Sequence, residues 1–469
     1  MGAHTVNLIP VNEPTAIPTI GAGLLIANGD HGWQPRTLLF PCPVVTVRYR
    51  DGVARLFAID AGEPFLVVSK NPLVVVDEVL RAIRRHLPAV GPMSGKPAFP
   101  LALIAASYEF GRVFAPHHDA FPHHSVSGDD EFFASIHLDA YRPHSTGAPE
   151  RVGYAGVIPA GWLPGAPALQ NAPAATHEPP PITPHPHGGN ENRALHSRVE
   201  KDAYVRSIGK IHDFLKSGDT YQVNLTTTLH GETTAPPDRI FDAALHRGGA
   251  AYAGMMLLPN GTLLSFSPEL YLRRRGNHIE TRPIKGTRRI GVEGLEATRA
   301  ALLASDKDRA EHVMIVDLER NDLGRVCVSG SVTVDPFLQV VEHPLLLHLE
   351  STVSGLLRPG VTMCEIFEAT FPGGSVTGAP KKRALEIIGA LEKSARGYYC
   401  GAFGWIDADG DCELNLPIRT ALIRDDGSVE FASGGGIVAD STAEQEWNEI
   451  HAKAEFMQQV LHDVTPQVN

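Results

Sequence analysis

Residues 199–229, VEKDAYVRSIGKIHDFLKSGDTYQVNLTTTL, give the clearest indication of how this chain folds. Apolar residues first recur at helical spacing, which predicts a helix that ends at Gly218. TYQVNLTTTL (220–229) then alternates as a strand does. Helices and strands mix in this way along the chain without regular βα alternation. We therefore expect an α+β fold with mostly antiparallel sheet rather than a doubly wound fold.

The residues before this stretch predict further elements and a break. PVVTVRYRDGVARLFAI (43–59) alternates as a hairpin around Asp51-Gly52, and VVVDEVLRAIRRHL (74–87) has the pattern of an amphipathic helix. Residues 163–195 are rich in Pro, His, Gly and Asn, which cannot sustain helix or sheet. A solvated linker is favoured there over a metal site made by its histidines.

Length and composition limit the class of protein. The 469 residues exceed what one core usually holds, so we expect an amino-terminal lobe (1–162), the linker (163–195) and a larger domain (196–465). The net charge of −12 gives no basic surface for nucleic acid. Five cysteines without C-x-x-C spacing argue against disulfides and zinc, so a reducing, cytoplasmic setting is expected. Neither a secretory signal nor a membrane-spanning run is present.

The last predicted helix carries a group of charged residues. Ser441-Thr442-Ala443-Glu444 has the capping-box pattern and is expected to begin it. Glu446, Glu449 and Lys453 then share one face, bordering an apolar stripe. Such a face could bind a hard cation and one substrate carboxylate. A surface ion pair is the alternative, and the helix alone favours it. The stripe consists of Trp447, Ile450, Ala454, Met457 and Leu461.

Two glycine-rich segments could approach an anion. Gly434-Gly435-Gly436 is expected to connect the strand SVEFA (428–432) to the last helix, where backbone N–H groups could contact a negative charge. A tight turn is the alternative, and the run alone favours it. PGGSVTGAPK (372–381) precedes a strong amphipathic helix but lacks the P-loop spacing, so nucleotide binding is disfavoured.

Two further residues are candidates for chemistry. Glu311 lies near the apolar side of the charged helix SDKDRAEHVMIVDLERNDLGRV (305–326), although a solvated carboxylate is the simpler interpretation. Lys285 stands between Ile284 and Gly286, where burial could make its amine nucleophilic, although a surface lysine is the simpler interpretation.

Taken together, nine blocks resemble the chorismate-utilising enzymes, the family of the anthranilate, aminodeoxychorismate, isochorismate and salicylate synthases. This resemblance implies one large sandwich of antiparallel sheets with flanking helices, the anthranilate synthase component I type of chorismate-binding fold. The blocks are SGDTYQVNL, SFSPEL, RPIKGTR, DRAEHVMIVDLERNDLGRV, HLESTVSG, FPGGSVTGAPKKRALEII, YYCGAFGW, LPIRTA and GGGIVADSTAEQEW.

The branch of the family is indicated by three sites. The first is the tryptophan-sensing L-L-E-S motif of anthranilate synthases, which is absent here; the corresponding region reads LLIANGD (24–30), so feedback by tryptophan is not expected. Hydrolytic members have a lysine that activates water where this chain has Gln222, so ammonia users are favoured. Anthranilate synthases resemble P-I-A-G-T where this chain has Lys285, and the lysine is typical of the aminodeoxychorismate branch. Anthranilate synthase component I, or another ammonia-using member, is the alternative.

The resemblance also implies roles for individual residues. Lys285 would attack C2 of chorismate while Glu269 protonates the leaving C4 hydroxyl, and ammonia would then attack C4 and expel the lysine. Glu311, Glu446 and Glu449 match the family's Mg²⁺ positions. Since no Cys has a glutaminase setting, ammonia would come from a separate glutamine amidotransferase subunit, component II. The matches to substrate contacts are Gln222, Gly286, Thr287, His348, Thr377, Tyr399, Arg419, Gly434, Gly436 and Lys453.

Overall fold

The structure is a computed structural model, and it describes most of the chain from residue 199 onward. The described residues are 23–27, 36–40, 43–50, 52–58, 64, 66–68, 71–85, 101–114, 131–137, 139–142, 150–153, 157–158, 169–170, 193–197, 199–247, 250–342 and 346–464.

Strands dominate the first part of the described chain and alternate irregularly with helices in the second. The strands are β1 (Gly23–Ala27), β2 (Arg36–Phe40), β3 (Val45–Arg50), β4 (Val53–Ala58), β5 (Leu66–Val68), β6 (Leu101–Ala106), β7 (Phe132–His137), β8 (Asp139–Arg142), β9 (Glu150–Gly153), β10 (Val157–Ile158), β11 (Leu169–Gln170), β12 (Arg193–Ser197), β13 (Gln222–Glu232), β14 (Tyr252–Leu258), β15 (Gly261–Ser267), β16 (Leu270–Arg275), β17 (His278–Arg282), β18 (Ile284–Arg289), β19 (Thr333–Val334), β20 (Gln339–Glu342), β21 (Leu346–Glu350), β22 (Val353–Leu356), β23 (Gly378–Ala379), β24 (Ala402–Asp407), β25 (Cys412–Asn415), β26 (Thr420–Arg424) and β27 (Ser428–Ile437). The helices are α1 (Pro72–Arg84), α2 (Lys201–Lys216), α3 (Pro237–Arg247), α4 (Leu295–Leu303), α5 (Asp306–Gly324), α6 (Met363–Thr370), α7 (Lys381–Leu391) and α8 (Ala443–Asp463).

Two large sheets and one small sheet organise these strands. The first large sheet has the order β12-β13-β27-β26-β15-β14-β1-β2-β8-β9, and β23 adds to β13. The second has the order β19-β22-β17-β16-β25-β24-β6-β7-β3-β4-β5, and the small sheet has the order β18-β21-β20. Neighbouring strands run antiparallel, for example β13 with β27 and β6 with β24. The predicted α+β class with antiparallel sheet is therefore confirmed.

The two large sheets pack face to face around an apolar layer. Phe40, Met256 and Leu263 from the first sheet meet Phe133 and Phe403 from the second in one buried cluster. Burying such side chains contributes about 1.5–3 kcal/mol each, so this layer holds the sheets together. Strands from both ends of the chain share both sheets. The boundary between the two predicted lobes stays a prediction, although strands from both sides of it interleave.

Most of the predicted elements are present, and α1, α2 and α5 lie within a few residues of their predicted bounds. The hairpin around residues 51–52 is also confirmed, as β3 and β4. Residues 163–195 were wrongly predicted to be free of sheet. Leu169–Gln170 pairs with β10, and Arg193 begins β12. Residues 163–168 and 171–192 of that segment lie outside the described residues. No helix in the described part of the chain is long and apolar enough to cross a membrane.

Candidate active site

Lys285 lies on β18, at an irregularity in the pairing with β21. Lys285 is opposite Leu349 and Thr287 is opposite His348, so Gly286 is an extra residue that forms a bulge. Gly286 has a φ of 75°, and a Cβ atom there would lie 3.1 Å from Cβ of Asp308. Both the backbone conformation and the close approach to α5 therefore favour glycine. We infer that this bulge sets the direction of the neighbouring Lys285 side chain.

The Lys285 side chain is half-buried among acidic groups. Its positive charge acts on the carboxyl groups of Glu269, Glu311 and Glu449, which come from three other parts of the chain. Within the described residues the ammonium makes no hydrogen bond and no ion pair within 4.0 Å. An amine held near several acids but bonded to none of them is available to react with a ligand.

Glu269 is a buried acid between β15 and β16. Its Oε1 accepts a hydrogen bond of 2.6 Å from Oγ of Ser375. Its backbone is fixed as well, because its N–H donates to Oγ of Ser267 and its carbonyl accepts from Leu416. Burial raises the pKa of Glu269 to about 7, although the Ser375 bond and the Lys285 charge oppose the shift. Such a carboxyl can carry a proton near neutral pH, as a general acid must.

Glu311 lies on α5, on the side that faces β18. The helix begins after Ser305, whose hydroxyl accepts from the N–H of Asp308. Burial raises the pKa of Glu311, while the charges of Lys285 and Lys307 act against the shift. The next residue, His312, is fully buried, with Nε2 2.7 Å from Oγ of Ser351.

The predicted glycine loop is wrong, because Gly434, Gly435 and Gly436 lie within β27 and pair with β13. At Gly434 glycine is required for space, because a Cβ atom there would lie 2.6 Å from the carbonyl oxygen of Leu225. A Cβ atom on Gly435 would lie 2.9 Å from Oε2 of Glu446. The glycines therefore let the acids of α8 lie directly against the strand.

The charged face of α8 forms as the sequence predicts, with one correction at its start, and the alternative of a surface ion pair is also present, between the largely exposed Glu449 and Lys453. Thr442 rather than Ser441 caps the helix, accepting from the N–H of Gln445, and Oγ of Ser441 instead donates to Oε1 of Glu446 at 2.7 Å. Nζ of Lys453 lies 2.6 Å from Oε1 of Glu449. It also donates to the carbonyl of Gly434 at 2.7 Å. The ammonium thus links the helix to the glycine strand.

The acidic groups of α5 and α8 influence one another. Burial raises the pKa of Glu446, and the neighbouring charge of Glu449 raises it further. Partial removal from water acts in the same direction on Glu449, whose side chain is still 52% exposed, but the charges of Lys453, Lys285 and Lys307 outweigh this effect and lower its pKa. Glu446 also contributes to the raised pKa of Glu311. Acids that disfavour one another's charge in this way would be stabilised by a bound cation.

The acidic residues of this site fit a metal ion only in part. In the part of the chain that the structure describes, no three His, Cys, Asp or Glu side chains converge closely enough to hold an ion by themselves. Glu311, Glu446 and Glu449 nevertheless supply the oxygen ligands that Mg²⁺ prefers, and a Cβ atom on Gly435 would lie 2.9 Å from an oxygen of Glu446 and 3.8 Å from one of Glu449, so these two carboxylates meet beside the strand. Since Mg²⁺ often keeps several waters and few protein ligands, these residues suit such a site.

Gln222, at the start of β13, is fully buried next to the glycine strand. Neither atom of its side-chain amide has a hydrogen-bond partner among the described residues. A Cβ atom on Gly436 would lie 2.8 Å from Cδ of Gln222, so the amide lies directly against β27. A buried amide without partners is costly unless a ligand satisfies it.

The other predicted substrate contacts are held by side-chain or backbone bonds. Oγ1 of Thr287 lies 2.7 Å from Nδ1 of His348, while the hydroxyl of Thr377 donates to the carbonyls of Gly373 and Gly374. Tyr399 is buried, and its neighbour Cys400 donates its backbone N–H to Pro417. This bond brings Tyr399 next to the segment that carries Arg419.

Arg419 has an unusual backbone and environment. Its φ is 51°, an uncommon value for a residue other than glycine. Burial lowers the pKa of its guanidinium, and within the described residues it has no acidic partner. Arg419 is partly buried, and a cation that is shielded from water without a counter-ion is costly, so the site suits an anionic ligand.

Sequence reasoning missed two side chains of this site. Ser375 was quoted within PGGSVTGAPK but was given no role, and His312 follows Glu311 directly. Both are buried, and each bonds to a partner far away in the chain. A serine or histidine beside a recognised motif residue is the only sign that the sequence offers for them.

Comparisons with known proteins identify the family and the fold of the chain. Residues 42–459 match the sequence profile of a family described as chorismate binding enzyme. The chain is 39% identical to aminodeoxychorismate synthase component 1 of Bacillus subtilis (strain 168) over 263 residues, 56% of each chain. It is 38% identical to anthranilate synthase component 1 1 of Haloarcula marismortui over 284 residues, which are 60% of this chain and 58% of that relative. These matches therefore span little more than half the length of the relatives.

The whole fold also has a counterpart among solved structures. The crystal structure of anthranilate synthase component I from Streptococcus pneumoniae TIGR4 matches with a TM-score of 0.71 at 22% identity. The match covers 98% of this chain and 95% of that one. The predicted fold type is thereby confirmed.

Proposed function

The chain belongs to the chorismate-binding enzyme family, and from this membership we propose that it acts as aminodeoxychorismate synthase component I. In this proposal it converts chorismate and ammonia to 4-amino-4-deoxychorismate, the precursor of p-aminobenzoate. The observation that carries the proposal is Lys285, whose amine makes no hydrogen bond to the described residues and lies at a bulge beside the buried acid Glu269.

The chemistry divides between these two residues. The neutral amine of Lys285 forms a bond to C2 of chorismate, the ring double bond shifts, and the C4 oxygen leaves as water with the proton of Glu269. Ammonia then forms a bond to C4, the double bond returns, and the bond from C2 to the lysine breaks. The proton lost by ammonia can return to Glu269, so the acid is regenerated. The raised pKa of Glu269, about 7, suits both transfers.

Gln222 supports the choice of ammonia over water. An amide has no basic group that could deprotonate water, so a hydrolytic role is disfavoured. Its buried carbonyl and NH₂ have no partner among the described residues, and its carbonyl can accept a hydrogen bond from ammonia.

Two cationic side chains and three acidic ones would bind the substrate and its metal ion. We propose that Arg419 and Lys453 pair with its carboxylates, since a guanidinium can bind a carboxylate with two parallel hydrogen bonds. Glu311, Glu446 and Glu449 would hold Mg²⁺. When bound, the ion would neutralise and orient a substrate carboxylate.

The proposed source of ammonia is a separate glutamine amidotransferase subunit. In the described part of the chain, the cysteines are Cys327, Cys364, Cys400 and Cys412. Burial raises the pKa of each thiol, to about 12 for Cys400 and Cys412. A glutaminase nucleophile needs the opposite shift, because the thiolate is the reactive form.

Anthranilate synthase component I is the second candidate, because relatives of that name match at nearly the same identity, 38% against 39%. The two products separate the candidates. The purified chain would be mixed with chorismate, Mg²⁺ and ammonium, and the products resolved by mass spectrometry. We expect a non-aromatic amino acid with the mass of aminodeoxychorismate. Fluorescent anthranilate as the main product would reject the first proposal.

A further inference from the structure

We propose that Ser375 is a positioning residue for Glu269, and that a buried network of Glu319, Asp322 and Lys381 holds Ser375 in place. The inference rests on the proposed role of Glu269 as the general acid. It assigns a function to the loop PGGSVTGAPK (372–381), whose glycines lack the spacing of a nucleotide-binding P-loop.

The contact between Ser375 and Glu269 is short and shielded from water. Ser375 lies in a 3₁₀ turn, Gly374–Val376, between α6 and α7. Its Oγ donates to Oε1 of Glu269 at 2.6 Å, and both residues are buried. Because the serine donates, the bond stabilises the ionised carboxylate more than the protonated acid. Loss of the hydroxyl should therefore make Glu269 hold its proton more strongly.

Helix α5 supports the turn from the opposite side. The backbone N–H of Gly374 donates to Oε1 of Glu319 at 3.0 Å. A Cβ atom on Gly374 would lie 2.8 Å from Cδ2 of Leu318 and 2.9 Å from that same oxygen. The turn therefore rests directly on the helix. Successive residues of the turn contact Glu319 and Glu269, so a shift at one contact moves the other.

Lys381 anchors both sides of the loop. Its Nζ donates to the carbonyls of Thr370 and Pro372, each at 2.9 Å, and pairs with the buried carboxylate of Asp322. Burial raises the pKa of Glu319 to about 8, and the charge of Asp322 adds to this effect. A protonated Glu319 beside an Asp322–Lys381 pair leaves little uncompensated charge. The arrangement can thus remain buried while it fixes the turn.

Other charged groups also act on Glu269. Lys285 faces it from β18 and favours its ionised form, whereas Glu350 from β21 disfavours that form. Glu319 and Cys400 are close enough for each to interact with the same carboxyl. Of the groups that lower the pKa of Glu269 against the effect of burial, Ser375 has the largest effect, through its hydrogen bond. Its removal should therefore have the clearest effect.

The test is the pH dependence of chorismate consumption, measured as kcat/KM with Mg²⁺ and ammonium. An acid must be protonated to act, so activity should fall as the pH rises through the pKa of Glu269. In Ser375→Ala we expect this decrease in activity to occur at a pH about one to two units higher, since a hydrogen bond to a charged group is lost. Ser375→Thr, which keeps the hydroxyl, should leave the fall near its wild-type position. A Ser375→Ala profile that is only lower, and not shifted, would overturn the proposal.

A second pair of variants tests the support beneath the turn. Glu319→Gln keeps an oxygen to accept from Gly374, whereas Glu319→Leu keeps the volume but leaves that N–H unpaired. We expect the Leu variant, and not the Gln variant, to shift the profile as Ser375→Ala does. Equal profiles for both would overturn the role of Glu319.

Glu269→Gln separates this inference from the proposed function. If kcat/KM of Glu269→Gln still decreases as the pH rises, another group causes that decrease, and the role of Glu269 as the acid is rejected. If the decrease of kcat/KM at high pH disappears in Glu269→Gln but occurs at the wild-type pH in Ser375→Ala, only the role of Ser375 is rejected. Product identity does not enter either comparison, because total chorismate consumption is measured.

Discussion

Burial determines what Glu269 can do. The residue is 5% exposed, and removal from water raises its pKa from 4.5 to about 7. Ionising a buried carboxyl lowers the free energy of unfolding, because the folded protein holds that proton more strongly than the unfolded chain and must release it as the pH rises. The feature that suits Glu269 for donating a proton should therefore also weaken the fold at high pH.

Glu269→Gln should show this cost directly. Between pH 4.5 and about 7 the folded state binds more protons at this residue than the unfolded state does, so the free energy of unfolding falls as pH rises. Glutamine cannot ionise and can still accept from Ser375. Chemical unfolding should thus show the variant gaining stability relative to wild type from pH 5 to 8, by on the order of 3 kcal/mol. A difference that does not change with pH would contradict the account.

At the level of elements, the site depends on how closely α8 approaches β27. Three consecutive glycines remove the side chains that would separate them. Glu446, Glu449 and Lys453 can then contact the strand. Substitutions on the strand and on the helix should therefore both affect the proposed metal site.

Gly435→Ala should displace the carboxylate of Glu446, because the new Cβ would lie 2.9 Å from its Oε2. We expect Mg²⁺ affinity to fall by about 10- to 100-fold, the range found when groups supporting a metal site are lost. Calorimetric titration with Mg²⁺ measures this without turnover. Gly209→Ala is the matched control, because no atom lies within 4 Å of the added Cβ. Unchanged affinity in Gly435→Ala would argue against a metal site at this strand.

Glu449→Gln should remove most of the magnesium-dependent activity, because it deletes one charge from the proposed cation site. Glu444→Gln is the control on the same helix, since Glu444 is exposed and pairs with Lys201. Turnover of both variants and of wild type would be measured over a range of Mg²⁺. Full activity of the wild type in excess chelator would refute the metal requirement.

The sequence predicted periodic elements well and close contacts poorly. The hairpin at 51–52 and the helix over 305–326 follow from patterns of neighbouring residues, and both are present. Gly434–Gly436 was taken for a loop because glycine weakens an isolated strand. Pairing with β13 and packing against α8 override that local preference. Likewise, nothing local to Ser375 indicates that its hydroxyl meets Glu269, 106 residues away.

At the scale of the whole molecule, the site draws on both large sheets and on the small one. Lys285 and His348 come from the small sheet, Gln222 from the first large sheet, and Glu269 from the connection between the two large sheets. Residues so far apart in the chain come together only in the complete fold. The activity of the enzyme should therefore be lost together with the fold, in a single transition, when the protein is unfolded.

The isolated chain should use ammonium and not glutamine. The thiols of the described residues, three of them buried and Cys364 partly buried, have raised pKa values, and a glutaminase needs a reactive thiolate. Product formation would be measured with ¹⁵N-labelled ammonium and, separately, with amide-labelled glutamine. Incorporation of label from glutamine without any added subunit would contradict the need for an amidotransferase partner.

The most direct test of the central claim is the rate of aminodeoxychorismate formation by Lys285→Arg. Arginine keeps the positive charge but is effectively always protonated, so it cannot attack chorismate. If Lys285 is the nucleophile, Lys285→Arg should be as impaired as Lys285→Ala, with some residual rate from substrate positioning. If the lysine only neutralises substrate charge, arginine should retain much of the activity. We predict that both variants lose the normal rate, and near wild-type turnover by Lys285→Arg would contradict the account.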